Sequence, residues 1–253
     1  MKQTLLYYDE VLSIGWQNTF CPLNNDIHVF YFDTGLLDFD TSHFITDEER
    51  IKAGRFFQKQ DKLNFLYGRS LVRILTGKYS NTPADKIIIT AGTGKKPYAI
   101  IFESIERSEI KFNLSHSRNG LLIAFSKTQV GCDIEAVVQT KYYDLLADIF
   151  THDEVALVSN SLNPLKDFFK IWTCKEAVLK TNGTGLIDDL KQLEVCKDVS
   201  RIQALELQSN EKFFLTGFAI DERFIAAVCY EGDKKSTIRF FDGTQVLKGL
   251  LIR

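Results

Sequence analysis

Only four prolines and fifteen glycines occur in 253 residues. That is too few for a disordered chain or a long flexible linker. The five cysteines, Cys21, Cys132, Cys174, Cys196 and Cys229, are odd in number and widely spaced, with no CxxC pair. Neither a disulfide framework nor a zinc site is expected, and reduced, mostly buried thiols in a cytoplasmic setting follow. The chain has no apolar run of about 18 residues, so no membrane span is expected. Lys2 is followed by Asp9 and Glu10 without a long apolar stretch, unlike a signal peptide. A formal net charge of −2 and the lack of a basic tail give no reason to expect nucleic acid.

What remains is an ordinary globular composition, 45% hydrophobic and 25% charged, rich in Phe and Tyr. The length suits two domains of about 100–150 residues. Residues 27–32 (IHVFYF) read as a strand. Thr46 with Glu49 three places on forms a capping box for a helix over 46–59. A second helix over 61–76 carries Leu63, Leu66, Tyr67, Leu71 and Ile74 near a 3.6 period and is expected to stop at Gly77. Strands are expected at 86–90, 110–114, 121–125 and 130–134, with a turn at 117–120. Helices return at 142–149, after Thr151-His152-Asp153-Glu154, and at 167–181, the last ending at Gly183. Strands near 193–196, 202–207, 213–219 and 224–229 complete the reading.

Two segments share a plan of helix, helix, stop and strands. From Thr46 to Gly77 is 31 residues, and from Thr151 to Gly183 is 32. An α+β fold of two related halves, residues 1–129 and 130–253, is therefore expected.

The segment Val130-Gly131-Cys132-Asp133-Ile134-Glu135 is the most informative. On a strand, Asp133 and Glu135 share a face, with Ile134 opposite. Adjacent like charges call for a cation, and oxygen ligands favour Mg²⁺ or Ca²⁺; two exposed acids at a strand end are the plain alternative. In the helix over 167–181, Phe168, Ile171, Trp172, Val178 and Leu179 lie toward one side. Trp172, Glu176 and Lys180 form a stripe at steps of four, so an acid and a base lie one turn apart beside the buried edge. Thr93-Gly94-Lys95-Lys96-Pro97 is a glycine loop with two lysines but lacks the Walker spacing. Phe112-Asn113-Leu114-Ser115-His116-Ser117 ends a strand in hydrogen-bonding side chains without a GxSxG elbow. Such groups suit phosphate oxygens or a simple turn equally well.

In this order the motifs resemble the Sfp-type 4′-phosphopantetheinyl transferase family. The matching stretches are GKKP (94–97), FNLSHS (112–117), GCDIE (131–135), FT-x-x-E (150–154), W-x-x-KE-x-x-x-K (172–180) and then Gly183-x-Gly185-Leu186. The resemblance covers residues 45 to 190. It implies a pseudodimer of two similar α+β halves with coenzyme A between them, acting as a monomer. Asp133, Glu135 and Glu176 would hold Mg²⁺ on the diphosphate of coenzyme A, with Lys180 near the same phosphates. Ser115 and His116 would contact the nucleotide's phosphates, Lys96 and Pro97 would line its site, and Lys52 and Arg55 would meet the 3′-phosphoadenosine end. Three departures stand out. Glu49 replaces a second basic residue of some relatives, Cys132 replaces an aliphatic one, and the matched Glu154 has no assigned role.

The implied reaction attaches the 4′-phosphopantetheine arm of coenzyme A to a serine of an acyl or peptidyl carrier protein. The carrier hydroxyl attacks the β-phosphate and 3′,5′-ADP leaves. Positioning and charge neutralisation suffice for such chemistry, so no enzyme nucleophile is needed. Glu176 is the candidate base and Lys180 the candidate stabiliser of the departing phosphate. A module that only holds coenzyme A or carrier, and a metal-dependent phosphohydrolase using the same acids, are the competing readings. Fatty-acid, polyketide and nonribosomal-peptide carriers are all compatible with the sequence.

Overall fold

In chain order the elements of the computed structural model are β1 (Tyr7–Tyr8), β2 (Ile27–Asp33), α1 (Asp47–Ala53), α2 (Lys59–Ser80), β3 (Ile87–Ala91), β4 (Pro97–Ile101), β5 (Lys111–Ser117), β6 (Gly120–Ser126), β7 (Val130–Ala136), α3 (Tyr143–Ile149), α4 (His152–Ser159), α5 (Pro164–Asn182), β8 (Gln203–Glu206), β9 (Lys212–Ala219), β10 (Phe224–Glu231), β11 (Ile238–Asp242) and α6 (Gly243–Leu251). The structure describes residues 7–8, 16–91, 97–101, 110–183, 190–195, 203–206 and 212–251.

The chain forms two compact units, one of residues 16–128 with 237–253, the other of residues 1–15 with 129–236. A single cut at residue 129/130 therefore fails at both ends of the chain. Strand β11 pairs in parallel with β2, Ile238 opposite Ile27, which draws the last residues into the unit of 16–128. Strand β1 pairs in parallel with β9 and joins the other unit.

The unit of 16–128 and 237–253 carries a sheet in the order β11-β2-β6-β5 and a β3-β4 hairpin. Alternation puts Phe30 and Phe32 of β2 on one face with Leu121, Ile123 and Phe125 of β6, packed on Leu71, Ile74 and Leu75 of α2. Helix α2 overruns its expected stop. Gly77 lies inside it, and the terminus is Asn81 in the left-handed region at φ 53, its N–H bonded to the Gly77 carbonyl. A glycine at 77 answers a packing need instead, since a Cβ there would lie 2.5 Å from the Thr82 oxygen.

In this core His28 is fully buried. It shares a 2.7 Å hydrogen bond with the Tyr79 hydroxyl and lies against Phe241. Burial holds its pKa down at about 4, against the opposing pull of Asp26. A depressed folded-state pKa supplies stability above pH 6.5 that is lost as pH falls toward 4. The loss should be on the order of 3 kcal/mol. Urea midpoints at pH 7.5 and 4.5 measure it, and the His28→Gln variant should show a shallower dependence.

The unit of 1–15 and 129–236 has the sheet order β1-β9-β10-β7, with β8 added on β9. Helix α5 lies across it, packing Ile171, Cys174, Ala177 and Val178 on Phe213, Leu215, Ile225, Ala227 and Cys229. Helices α3 and α4 add Leu146, Ile149 and Val158 to the same core. Pro164 opens α5, and Gly183 at φ 72 closes it. Residues 193–195 form no strand but follow a short 3-10 turn, Leu190–Gln192. The sequence reading also missed β1, β4, β11 and α6. Of the described cysteines, Cys132, Cys174 and Cys229 are buried and Cys21 is partly so, all as free thiols; Cys196 lies outside the described residues. Among the described residues no helix is long and apolar enough to cross a membrane.

Candidate active site

The site is made by β7 and α5 of a single unit. Residues 131, 133 and 135 alternate onto the face of β7 that meets α5. Gly131 makes that meeting close. A Cβ there would fall 2.3 Å from the Ala177 oxygen and 2.4 Å from the Thr181 nitrogen, so the strand backbone rests directly on the helix backbone. Strand and helix run in opposite directions, with Gly131 beside Thr181 and Glu135 beside Trp172. Their lengths match. Nine helical steps of about 1.5 Å and four strand steps of about 3.3 Å both span roughly 13 Å. Midway along each lie Glu176 and Asp133.

Between Ile171 and Thr181 every side chain of α5 is buried except those of Trp172, Glu176 and Lys180. The stripe at steps of four is thus the one open line on that stretch of helix, and it faces the acids. Lys180 Nζ donates to Asp133 Oδ1 at 2.6 Å. Asp133 is only 3% exposed, so the ion pair is held largely out of water. Trp172 Nε1 reaches Glu135 Oε1 at 3.4 Å, a long contact that orients the carboxylate more than it binds it. Burial pushes the Glu176 carboxyl above its ordinary pKa, the Asp133 charge pushes it further, and Lys180 only partly opposes them. Burial alone would lower the Lys180 ammonium, but the attraction and hydrogen bond of Asp133 outweigh it and the pKa rises.

The three acids do not form a cage. Among the described residues no group of three or more His, Cys, Asp or Glu side chains is arranged to hold a metal. Asp133 and Glu176 lie close enough to perturb each other, while Glu135 sits two strand residues, about 7 Å, along β7 from Asp133. This donor set fits Mg²⁺ in its usual mode, in which one or two carboxylates share the ion with water and substrate phosphate. It does not fit a closed protein cage.

Glu154 has a structural answer. It is fully buried and ion-paired with Lys175, Oε2 to Nζ at 2.8 Å. The same carboxylate accepts from the Thr151 N–H and the Val195 N–H, and Lys175 donates to the Leu190 and Leu193 carbonyls. Both charges are therefore satisfied, as a buried pair requires. A lysine set among Ile171, Val178 and Leu179 in an apolar stripe was the sequence signal for such a partner.

The remaining candidates belong to the other unit. Glu49 faces inward, accepting two hydrogen bonds from Arg73 at 2.9 and 3.2 Å while completing the capping box of α1. It is thus tied into the fold. Lys52 and Arg55 line a surface groove of about 580 Å³ with Glu48, Ile51 and Phe56, and Lys52 Nζ lies 5.3 Å above the Phe65 ring. Alternation sends Ser115 and His116 to opposite faces of β5, Ser115 buried and His116 exposed. Asn64, which sequence reasoning missed, is fully buried and lies 3.4 Å from His116 Nδ1, its amide fixed by the Arg118 carbonyl. Pro97 begins β4. Lys96 and the pair Gly185-Leu186 lie outside the described residues.

Two family models match the chain. Residues 129–229 match the 4′-phosphopantetheinyl transferase superfamily, and residues 38–128 match the 4′-phosphopantetheinyl transferase N-terminal model. The chain is 30% identical to the 4′-phosphopantetheinyl transferase HetI of Nostoc sp. over 76% of its own length and 81% of that protein's. It is 27% identical to the 4′-phosphopantetheinyl transferase Sfp of Bacillus subtilis over 74% of its own length and 82% of that protein's. Similarity extends to the human L-aminoadipate-semialdehyde dehydrogenase-phosphopantetheinyl transferase, 25% identical over 68% of this chain and 59% of that protein.

Proposed function

Because the chain belongs to the 4′-phosphopantetheinyl transferase superfamily, we propose that it moves the 4′-phosphopantetheine arm of coenzyme A onto a serine of an acyl or peptidyl carrier protein, with Mg²⁺ and with release of 3′,5′-ADP. The observation that carries this reading is the open Trp172-Glu176-Lys180 stripe of an otherwise buried helix, set against Asp133 and Glu135.

Asp133 and Glu176, with Glu135, would hold Mg²⁺. When bound, the ion would withdraw charge from the diphosphate. Glu176 takes the proton of the incoming serine hydroxyl, directly or through a water. The serine oxygen bonds to the β-phosphorus, and the bond from that phosphorus to the oxygen of 3′,5′-ADP breaks. Lys180 Nζ stabilises the departing phosphate. Lys52, Arg55, Lys96, Pro97, Ser115 and His116 bind the nucleotide portion. The exposed cations at 52 and 55 and the support of His116 by Asn64 favour that assignment.

The pseudodimer is part of the same proposal, and the paired capping boxes favour it. In each unit the N3 glutamate of a capping box, Glu49 or Glu154, grips a buried cation on the following long helix, Arg73 or Lys175. That cation also donates to a carbonyl 14 or 15 residues onward, Ile87 or Leu190. A monomer in the cytoplasm, with neither nucleic acid nor membrane as partner, completes the proposal.

Intact-mass measurement of several apo-carrier proteins after incubation with the enzyme, Mg²⁺ and coenzyme A tests it. The expected result is a mass gain equal to one phosphopantetheine that requires all three components. Phosphate release from coenzyme A without any carrier would instead favour a hydrolase.

A further inference from the structure

We propose that Glu154 and Lys175 are positioning residues for the transfer reaction, fixing the rotation of α5 so that Glu176 and Lys180 point at β7. The inference rests on the functional reading above, because it assigns these two residues no contact with substrate.

Successive helical residues are turned by about 100°. Lys175 therefore projects roughly 140° away from Lys180, and its side chain emerges from the other flank of Trp172. Helix α5 is held from two sides. On one, Lys180 binds Asp133 and Trp172 meets Glu135. On the other, Lys175 binds Glu154, the Leu190 carbonyl and the Leu193 carbonyl. Those three acceptors come from the start of α4 and from residues 190–195, so the ammonium joins three separate stretches of chain at one point. Glu154 closes the same joint through the N–H groups of Thr151 and Val195. The next residue after Lys175 is the candidate base, and a small rotation of α5 would carry it off the line of Asp133. Well-packed apolar groups can replace a buried ion pair with little loss of stability, so the attraction between the two charges is not by itself the reason for the pair. Their use is geometric: five fixed polar contacts define an angle that nonpolar packing leaves softer.

The test separates geometry from stability. In the Glu154→Gln/Lys175→Met double variant both charges are gone together. It should melt below the parent, because the Leu190 and Leu193 carbonyls lose their donor, and the kcat of the folded protein for carrier modification should fall at least tenfold with the KM for coenzyme A within twofold. Glu154→Asp keeps both charges and withdraws the carboxylate by one methylene. It covers the case in which the double variant fails to fold, and should show the same split at smaller size. A second readout needs no turnover. The chain has two tryptophans, so in a Trp16→Phe background Trp172 alone emits, and iodide should quench it more strongly in both variants than in the parent. Folded variants with parental kcat and parental quenching would overturn the proposal. A parent that modifies no carrier would remove the transfer reading, and parental quenching in the variants would still show by itself that the pair does not set the orientation of α5.

Discussion

Glu176→Gln should lower carrier modification by about 10²–10⁴-fold, the usual contribution of a positioned general base, while the protein unfolds at the same temperature or higher. The two halves of this result have one cause. Burial and the Asp133 charge raise the Glu176 carboxyl in the folded state, so an ionised Glu176 opposes folding near neutral pH. A raised carboxylate pKa removes stability above the unfolded-state value, and the amide escapes that penalty. Activity falls because the amide neither accepts a proton nor adds charge for a metal. Single-turnover rates with saturating coenzyme A, set beside a thermal melt of the same sample, measure both. Lost activity with a lowered melting temperature would point to a damaged fold and count against the base assignment, and an active variant would end it.

Gly131→Val should severely destabilise the unit of 1–15 and 129–236. The added Cβ would meet the Ala177 oxygen at 2.3 Å, the Thr181 nitrogen at 2.4 Å and the Thr181 hydroxyl at 2.6 Å. Two of these are backbone atoms of α5 and cannot rotate aside. Overpacking against movable side chains already costs about 1–3 kcal/mol. Forcing β7 from α5 should exceed this and separate Asp133 from Lys180 as well. The expected outcome is an insoluble product, or a soluble one with a melting point lowered by more than 10 degrees. Gly249→Ala is the matched control. Nothing lies within 4 Å of the position a Cβ would take there, and the residue is inside helix α6. It should stabilise by roughly 0.5–1 kcal/mol. Chemical denaturation of the two variants in parallel reads both effects.

Much of this was legible in order along the chain. Alternation put Asp133 and Glu135 on one face of β7, and steps of four aligned Trp172, Glu176 and Lys180. The capping boxes at Thr46 and Thr151 began helices where expected, because such signals act within one or two turns. The failures share a different cause. Gly77 reads as a stop, but close packing against Thr82 keeps it inside α2. The last strand was missed because β11 takes its partner from β2, over 200 residues earlier.

The amino-acid order alone settled which side chains could share a face and which family the chain resembles, since periodicity and motif spacing are local properties of the backbone. Tertiary structure decided what those side chains meet. Lys180 found Asp133, Lys175 found Glu154, and Gly131 allowed two backbones to touch. Such pairings depend on chain distances of tens of residues and on the cost of burying charge without a partner. A local pattern can show that a charge will be buried, as at Lys175, but not which distant group will meet it.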